Sequence, residues 1–424
     1  MSKNIFKRFD VLGTFVKGAS LLAAGSILAQ IIGFIGSMAM TRLYTKEAIG
    51  IMTIIVSVSN MFAGSINCRF DFAIVKEKKE TNIFPLISLS LLVGLIFSAT
   101  VAFGSLLYFT TKDEIPSPVL SSIFVFLMLI VTAFTNVFRS YNNRLSDYKT
   151  MTWVIAIRKL AEEVSMVLFG FLKSNYVTLL ISRVIGQFFG MRQQIQHVRH
   201  DIGKIFKVKK DEIKEVYRIH CKQLYFSTPA AIMNSASYSL ISVFVGELFG
   251  MGQVAVYSIS MSVLGLPLSV ISGNISKVYF AEASKEYRTR GCFRRSTIKT
   301  AGILIPLSII MFIGMYWLIP LIVPYVYGSQ YSDAGAFIRI LAPMFAVRFV
   351  TSSMTTGLVV AGYQQLEAVL QSLFLIVAVL IYMCCSHYNW TVHQFLEIFT
   401  LGYASIYAIY LVAIVKASIK VTEH

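Results

Sequence analysis

Long apolar stretches separated by short polar breaks run along the whole chain. They cover 15–42, 46–75, 83–109, 119–145, 150–172 and 175–198, then 222–246, 251–280, 298–326, 334–362, 364–386 and 391–416. Each reaches the roughly 20 residues a helix needs to cross a ~30 Å hydrocarbon layer. In lipid every backbone amide must find its partner inside the segment, so runs of this length predict helices rather than core strands. No small-residue cleavage site follows the first run, which predicts a retained span and not a removed leader.

Polar positions inside the runs reveal a repeat. In the second run Thr53, Ser57, Asn60, Gly64, Asn67 and Asp71 recur at steps of four and three, one face of a continuous helix. Ser258, Ser262, Gly265, Ser269, Ser272 and Ser276 reproduce the pattern in the eighth run, each 205 positions later. At the same offset Leu43-Tyr44 falls on Leu248-Phe249 and Ile49 on Val254. Two halves of six spans follow, and because six is even the repeat is parallel, related by an axis along the membrane normal. The expected organisation is an N-terminal lobe over 1–198, a linker over 199–221 and a C-terminal lobe over 222–424. The fold class is an all-α polytopic membrane protein of about twelve transmembrane helices in two pseudo-symmetric six-helix lobes. Small residues at helical spacing also let helices pack closely in lipid, and the serine stripe reads first that way, with a cavity face as the alternative. Two asparagines and an aspartate exceed what packing needs, so the first stripe reads as a cavity face. Pro229, Pro267, Pro306, Pro320, Pro324 and Pro343 all lie in the second half, which is expected to bend, either statically or as part of a cycle.

Charge then sets the orientation. Only 14% of the 424 residues are charged and 56% are hydrophobic, against roughly a quarter charged in soluble domains. The net charge of +17 would suggest nucleic acid in a soluble protein. Here, of the 38 Lys and Arg, 31 fall at alternate connections and the two ends, and only Arg42, Lys46, Lys112 and Lys173 fall on the other side. The positive-inside rule accounts for this asymmetry, argues against a nucleic-acid partner and predicts both termini in the cytoplasm. The linker sets Ile202, Ile205, Phe206, Ile213, Val216 and Tyr217 against Lys204, Lys207, Lys209, Lys210 and Lys214. It reads as an amphipathic helix lying on anionic lipid or as a solvated connection. Five cysteines without CxxC spacing indicate neither a disulfide framework nor a zinc site.

Outside that count of Lys and Arg, three arginines remain, all inside spans. Arg183 shares a face with Gln187, Gly190 and Gln194; Arg348 shares one with Ser352 and Thr355; Arg339 falls opposite Arg348 and reads as structural or snorkelling. A charge near the bilayer midplane costs at least about 2.5 kcal/mol, so it must face water, a partner or a substrate. Arg139 sits on a polar stripe near the cytoplasmic end of the fourth span, where snorkelling is the alternative. Arg158–Glu162 and Lys159–Glu163 are both spaced for i,i+4 pairing, so the carboxylates read either as neutralised or as ion-coupling groups. No HExxH, GxSxG or phosphate-binding loop is present, and the six histidines have no ligand spacing. No cofactor is expected, and uphill transport would draw on an ion gradient, of H⁺ or Na⁺, or on the membrane potential.

Gly25-Ser26-Ile27-Leu28-Ala29-Gln30-Ile31-Ile32-Gly33-Phe34, Thr41 to Gly50, and Arg69-Phe70-Asp71-Phe72-Ala73-Ile74-Val75 resemble the start of the polysaccharide transporter family. These are the lipid-linked oligosaccharide flippases of the multidrug/oligosaccharidyl-lipid/polysaccharide exporter superfamily. Ala361-Gly362-Tyr363 is similar to the family's short connection after the tenth span. The resemblance implies two lobes around a central cavity in the bacterial inner membrane. It implies alternating-access transfer of an undecaprenyl-diphosphate-linked oligosaccharide of the O-antigen type, with membrane lipids and other polysaccharide-assembly proteins as partners, and no enzymatic activity. Arg183 and Arg348 would hold the diphosphate at mid-depth, with Arg69 and Arg139 receiving it and Arg42 meeting it on release. Asn60, Asn67 and Ser272 would contact sugar, and Asp71, Glu162 and Glu163 would couple to the ion. The alternatives are a small-molecule or drug-cation antiporter of the same superfamily, which calls for an acidic cavity, and a polymerase or ligase, which calls for a large periplasmic loop.

Overall fold

The computed structural model describes residues 2–419. Among the described residues the elements are all helices, with no strand. It divides into two compact units, Met1–Ser235 and Ala236–His424. The first holds α1 (Ser2–Leu43), α2 (Lys46–Ala63), α3 (Phe70–Lys76), α4 (Ile83–Thr110), α5 (Pro118–Arg144), α6 (Tyr148–Leu172), α7 (Tyr176–Phe188), α8 (Met191–Gln194), α9 (Ile202–Phe206) and α10 (Lys210–Lys222). The chain passes into the second unit within α11 (Thr228–Phe249). There follow α12 (Met251–Pro267), α13 (Gly273–Arg290), α14 (Arg294–Ile313), α15 (Ile319–Tyr327), α16 (Ser332–Met354), α17 (Thr356–Val360), α18 (Gln364–Tyr388) and α19 (Val392–Ile419).

Each apolar run coincides with one helix or with a broken pair. Among the described residues, ten stretches are long and apolar enough to cross a membrane. The runs outside that set are the fifth and sixth. Helix α6 carries Arg158, Lys159, Glu162 and Glu163 at its centre, and α7 stops after 13 residues. These two are held by neighbours. Gly25, Gly33 and Gly36 of α1 face Thr152, Lys159 and Glu163 of α6 so closely that a methyl group at any of them would overlap its partner. Gly186 of α7 presses in the same way on Glu162. The Tyr44 hydroxyl closes the seam by donating to the Met166 carbonyl at 2.8 Å.

The second run is not one helix. It breaks between Ala63 and Phe70, where Cys68 and Arg69 both take left-handed φ (47° and 62°). The break rotates everything after it, so the stripe read as one continuous face divides. Asn60 is exposed, whereas Asn67 and Asp71 are 1% and 3% exposed. The eighth run is interrupted at the corresponding place, by a π-helical turn over Leu268–Ser272 immediately after Pro267. The 205-residue repeat therefore extends to the position of the break. Further π-helical turns, Gln223–Ser227 and Gly314–Leu318, end just before Thr228-Pro229 and Ile319-Pro320. A proline clashes with the carbonyl four residues back, and a wider turn relieves that clash.

The linker does not leave its apolar face to lipid. Ile205 and Val216 are buried in a core with Phe70, Ile74, Leu86, Ile87, Val137 and Phe138, and Ile202, Ile213 and Tyr217 pack around them. The Ser88 hydroxyl donates to the Ile205 carbonyl, and His220 Nε2 lies 2.9 Å from Glu77 Oε2. Residues 199–221 thus count with the first unit, whose boundary falls at Ser235. Phe206 alone of the predicted apolar face is fully turned out, 82% exposed.

Candidate functional site

Each unit carries its own charges within the apolar runs. In the first, α6 and α7 build a compact four-charge cluster. Lys159 Nζ lies 3.1 Å from Glu162 Oε1 and 2.5 Å from Glu163 Oε1, and Arg183 Nε lies 3.7 Å from Glu162 Oε1. Two cations face two anions, so the cluster is neutral as a whole. Arg183, about a third exposed, is shared between this cluster and its surroundings. The i,i+4 reading is half right: Lys159 pairs with Glu163, but Arg158 turns away from Glu162. Its Nε donates to the Phe189 carbonyl and its Nη2 to Gln194 Oε1. Phe189 and Gly190 (φ 74°) form the break after α7, which frees carbonyls that the guanidinium satisfies. Gln194 passes the connection on, donating to the Thr135 carbonyl and accepting from Asn142 through its own carbonyl.

The other first-unit residues fall into two groups. Asn67 is enclosed, its amide donating to the Ser90 and Ala133 carbonyls at 3.0 and 3.2 Å, where it ties α4 to α5. Asp71, in the first turn of α3, is buried with Arg69 and Arg139 as the charges acting on it. The Arg69 guanidinium stacks over the Phe72 ring at 4.5 Å. Arg42, Arg139 and Asn60 are exposed.

At the connections between helices, two carboxylates are clamped. Burial raises the Glu77 carboxyl, but hydrogen bonds from the Lys79 amide and His220 outweigh it and hold it below the ordinary range. Asp147, the N-cap of α6, is likewise raised by burial and held low overall by His197 and by the Thr150 hydroxyl and amide.

In the second unit Arg348 stands on α16 with its guanidinium 4.5 Å from the ring centre of Tyr238 and 5.4 Å from that of Phe345. Tyr257, Tyr403 and Tyr407 also act on its charge. No carboxylate pairs with it among the described residues. The phenols are tied together: Tyr238 and Tyr407 hydroxyls meet at 2.5 Å, and Tyr403 donates to the Ser237 and Phe374 carbonyls. The Tyr257 hydroxyl is buried and has no hydrogen-bond partner among the described residues. A guanidinium held by ring faces keeps its N–H edge for an anion, because the rings supply attraction without accepting those hydrogens. Ser272 lies in the same unit, 4% exposed, and its hydroxyl is bonded to those of Ser352 and Ser353. Arg339 is exposed and donates to the Tyr316 carbonyl.

The tyrosines are what sequence reasoning missed. Phe399, Tyr403, Tyr407 and Tyr410 recur at steps of four, four and three on α19, a visible stripe, yet nothing in the spacing names Arg348 of α16 as its neighbour. Among the described residues no group of His, Cys, Asp and Glu could hold a metal ion.

Comparison with known proteins now bears on this geometry. No curated protein matches the sequence. Among solved structures, a lipid II flippase MurJ in an inward closed conformation matches with TM-score 0.69 and 12% identity, over 93% of this chain and 87% of that one. An inward-facing multidrug resistance MATE family transporter of the MOP superfamily matches with TM-score 0.63 and 14% identity, over 93% and 92%. A MOP superfamily transporter from Pyrococcus furiosus, described as having a binding pocket of reverse polarity, matches with TM-score 0.57 and 13% identity, over 95% and 96%. At these identities the likeness shows the fold, which is that of multi-pass transporters and flippases. The profile of one family, described as polysaccharide biosynthesis protein, matches residues 39–336, and the chain belongs to that family.

Proposed function

We propose that this protein is a flippase that carries a diphosphate-linked, lipid-anchored oligosaccharide across the bacterial inner membrane by alternating access. The cargo in this reading is an undecaprenyl-diphosphate-linked repeat unit of the O-antigen type. The observation that carries it is Arg348, an intramembrane guanidinium held by aromatic faces with no carboxylate beside it. A lone cation in that setting suits a phosphate oxygen, since guanidinium forks onto phosphate and stays charged at any working pH. Arg183 would act on phosphate within the first unit, giving up part of its contact with Glu162, while Arg69, Arg139 and Arg42 would act nearer the two surfaces. Asn60, exposed on α2, is available to sugar hydroxyls; Asn67 and Ser272 are enclosed and would act through packing unless the helices around them part. Asp71, Glu162 and Glu163 are the carboxylates for coupling to H⁺ or Na⁺. Both termini and the linker would face the cytoplasm.

The family membership supports the polysaccharide side of this reading, and the flippase of the same fold supports the lipid side. A multidrug resistance transporter shares the fold as well, and for the alternative reading as a drug-cation antiporter the sign of the intramembrane charges decides: a cation carrier needs carboxylates where this chain has Arg348. The test is translocation in liposomes. Purified protein should move a lipid-diphosphate oligosaccharide between leaflets and should not exchange an organic cation for protons; the opposite pair of results overturns the proposal.

A further inference from the structure

We propose that the cytoplasmic hairpin of α13 and α14 carries a binding site for the phosphate of an anionic lipid headgroup. It is separate from Arg348 and independent of the cargo. The hairpin encloses an open cavity of about 530 Å³ lined by Glu282, Lys285, Glu286, Arg290, Arg295 and Lys299, with Thr289 and Ser296. That volume lies within the range of small-molecule sites.

The walls are tied together by hydrogen bonds. Gly291 closes α13 in a left-handed turn (φ 69°), its amide bonded to the Tyr287 carbonyl. Phe293, fully buried, plugs the turn, and its amide donates to the Ser418 carbonyl. Across the hairpin Glu286 accepts from the Arg295 and Ser296 amides and from the Ser296 hydroxyl. The α14 N-terminus is thereby already capped, so the cavity does not depend on it. Burial raises the Glu286 carboxyl, but these hydrogen bonds outweigh it and hold it low.

The charges that remain decide the ligand. Both carboxylates are engaged, Glu286 by α14 and Glu282 by Lys299 at 3.2 Å. Lys285, Arg290 and Arg295 form no direct ion pair among the described residues, although the Arg290 charge also acts on Glu286. Four cations against two anions leave the cavity at about +2, which complements a phosphate group. Its depth identifies the source. Val278 and Phe280 on α13 and Ile298 on α14 are exposed within about a turn of the cavity. The cavity thus sits where apolar surface gives way to polar, which is headgroup level.

The test is native mass spectrometry of the full chain in detergent, titrated with phosphatidylglycerol, phosphatidylcholine or inorganic phosphate. Phosphatidylglycerol should bind in preference to the zwitterionic lipid. The Arg290→Gln/Arg295→Gln variant should weaken that binding about 25-fold, each surface cation contributing roughly a factor of five. Lys214→Gln/Arg218→Gln on α10, the same loss of charge at exposed positions of the first unit, should leave it unchanged. Equal binding of the two lipids, or equal weakening by both double variants, overturns the site. Saturation by inorganic phosphate alone at the same concentrations assigns the cavity to a soluble ligand and overturns the lipid source. Lys285→Gln alone should reproduce part of the loss, so the outcome does not hang on one variant folding.

Discussion

Lys159 is the residue on which the charge balance of α6 turns. Replacing it with methionine keeps the aliphatic stem against Gly33 and removes the ammonium that Glu162 and Glu163 share at 3.1 and 2.5 Å. The three side chains are 28%, 19% and 14% exposed, so the cluster is neither wet nor sealed. An exposed ion pair is worth at most about 1 kcal/mol, and removing one partner of a buried pair costs about 3–5 kcal/mol. Intermediate exposure places Lys159→Met at about 2–3 kcal/mol. Two carboxylates then face Arg183 alone, whose nearest contact is 3.7 Å. Removing one of them restores the balance, so Lys159→Met/Glu163→Gln should be more stable than Lys159→Met although it carries one more substitution. The assay is thermal unfolding of the purified variants in a single detergent, read as the order of Tm: wild type, then the double variant, then Lys159→Met. A double variant that unfolds at or below the temperature of Lys159→Met would show that the carboxylates do not depend on Lys159, and the cluster as described would be refuted.

Asn67→Asp sets an acceptor against the Ser90 and Ala133 carbonyls in a site 1% exposed, and should cost about 3 kcal/mol or more, seen as lost expression and lowered Tm; an Asn67→Ala protein of unchanged Tm that has lost export would instead make Asn67 a cargo contact. Glu77 is held below the ordinary carboxylate range, so its stabilising contribution is present above that range and lost as pH falls through its folded value. Wild type should therefore lose more Tm than Glu77→Gln between neutral pH and about pH 4, and parallel curves would remove the linker clasp from the account. Reporter fusions after Lys112 and after Lys210 should fall on opposite sides of the membrane, and the same side for both would break the orientation.

The span pattern was legible because length and apolarity act locally. A run of some 25 apolar residues has few alternatives to a helix in lipid. The break in the second run was not, because Asn67-Cys68-Arg69 contains no glycine or proline to announce it; tertiary packing holds Cys68 and Arg69 at positive φ. One unseen break was enough to place Asn67 among carbonyls of other helices instead of on the stripe with Asn60. Arg158 and Glu162 stand at the right spacing to pair, yet the freed Phe189 carbonyl and Gln194, some 30 residues on, outbid that local contact. The linker's apolar face was legible, but its partner was not: Ile205 and Val216 could cover lipid or protein equally well, and only the fold supplies Phe70 and Leu86. Arg348 stood out by its depth alone, while its surroundings come from α11, α12 and α19, separated in sequence by up to about 110 residues.

The central claim rests on Arg348, and transport by its variants tests it most directly. Wild type, Arg348→Lys and Arg348→Ala proteins, matched for amount inserted and for Tm, would be compared for transfer of a lipid-diphosphate oligosaccharide between the leaflets of liposomes. Ring faces around a guanidinium make a planar, forked contact that an ammonium cannot reproduce. The expected result is that Arg348→Ala loses transfer and Arg348→Lys keeps only a fraction. Transfer at the wild-type rate by Arg348→Ala would contradict the account.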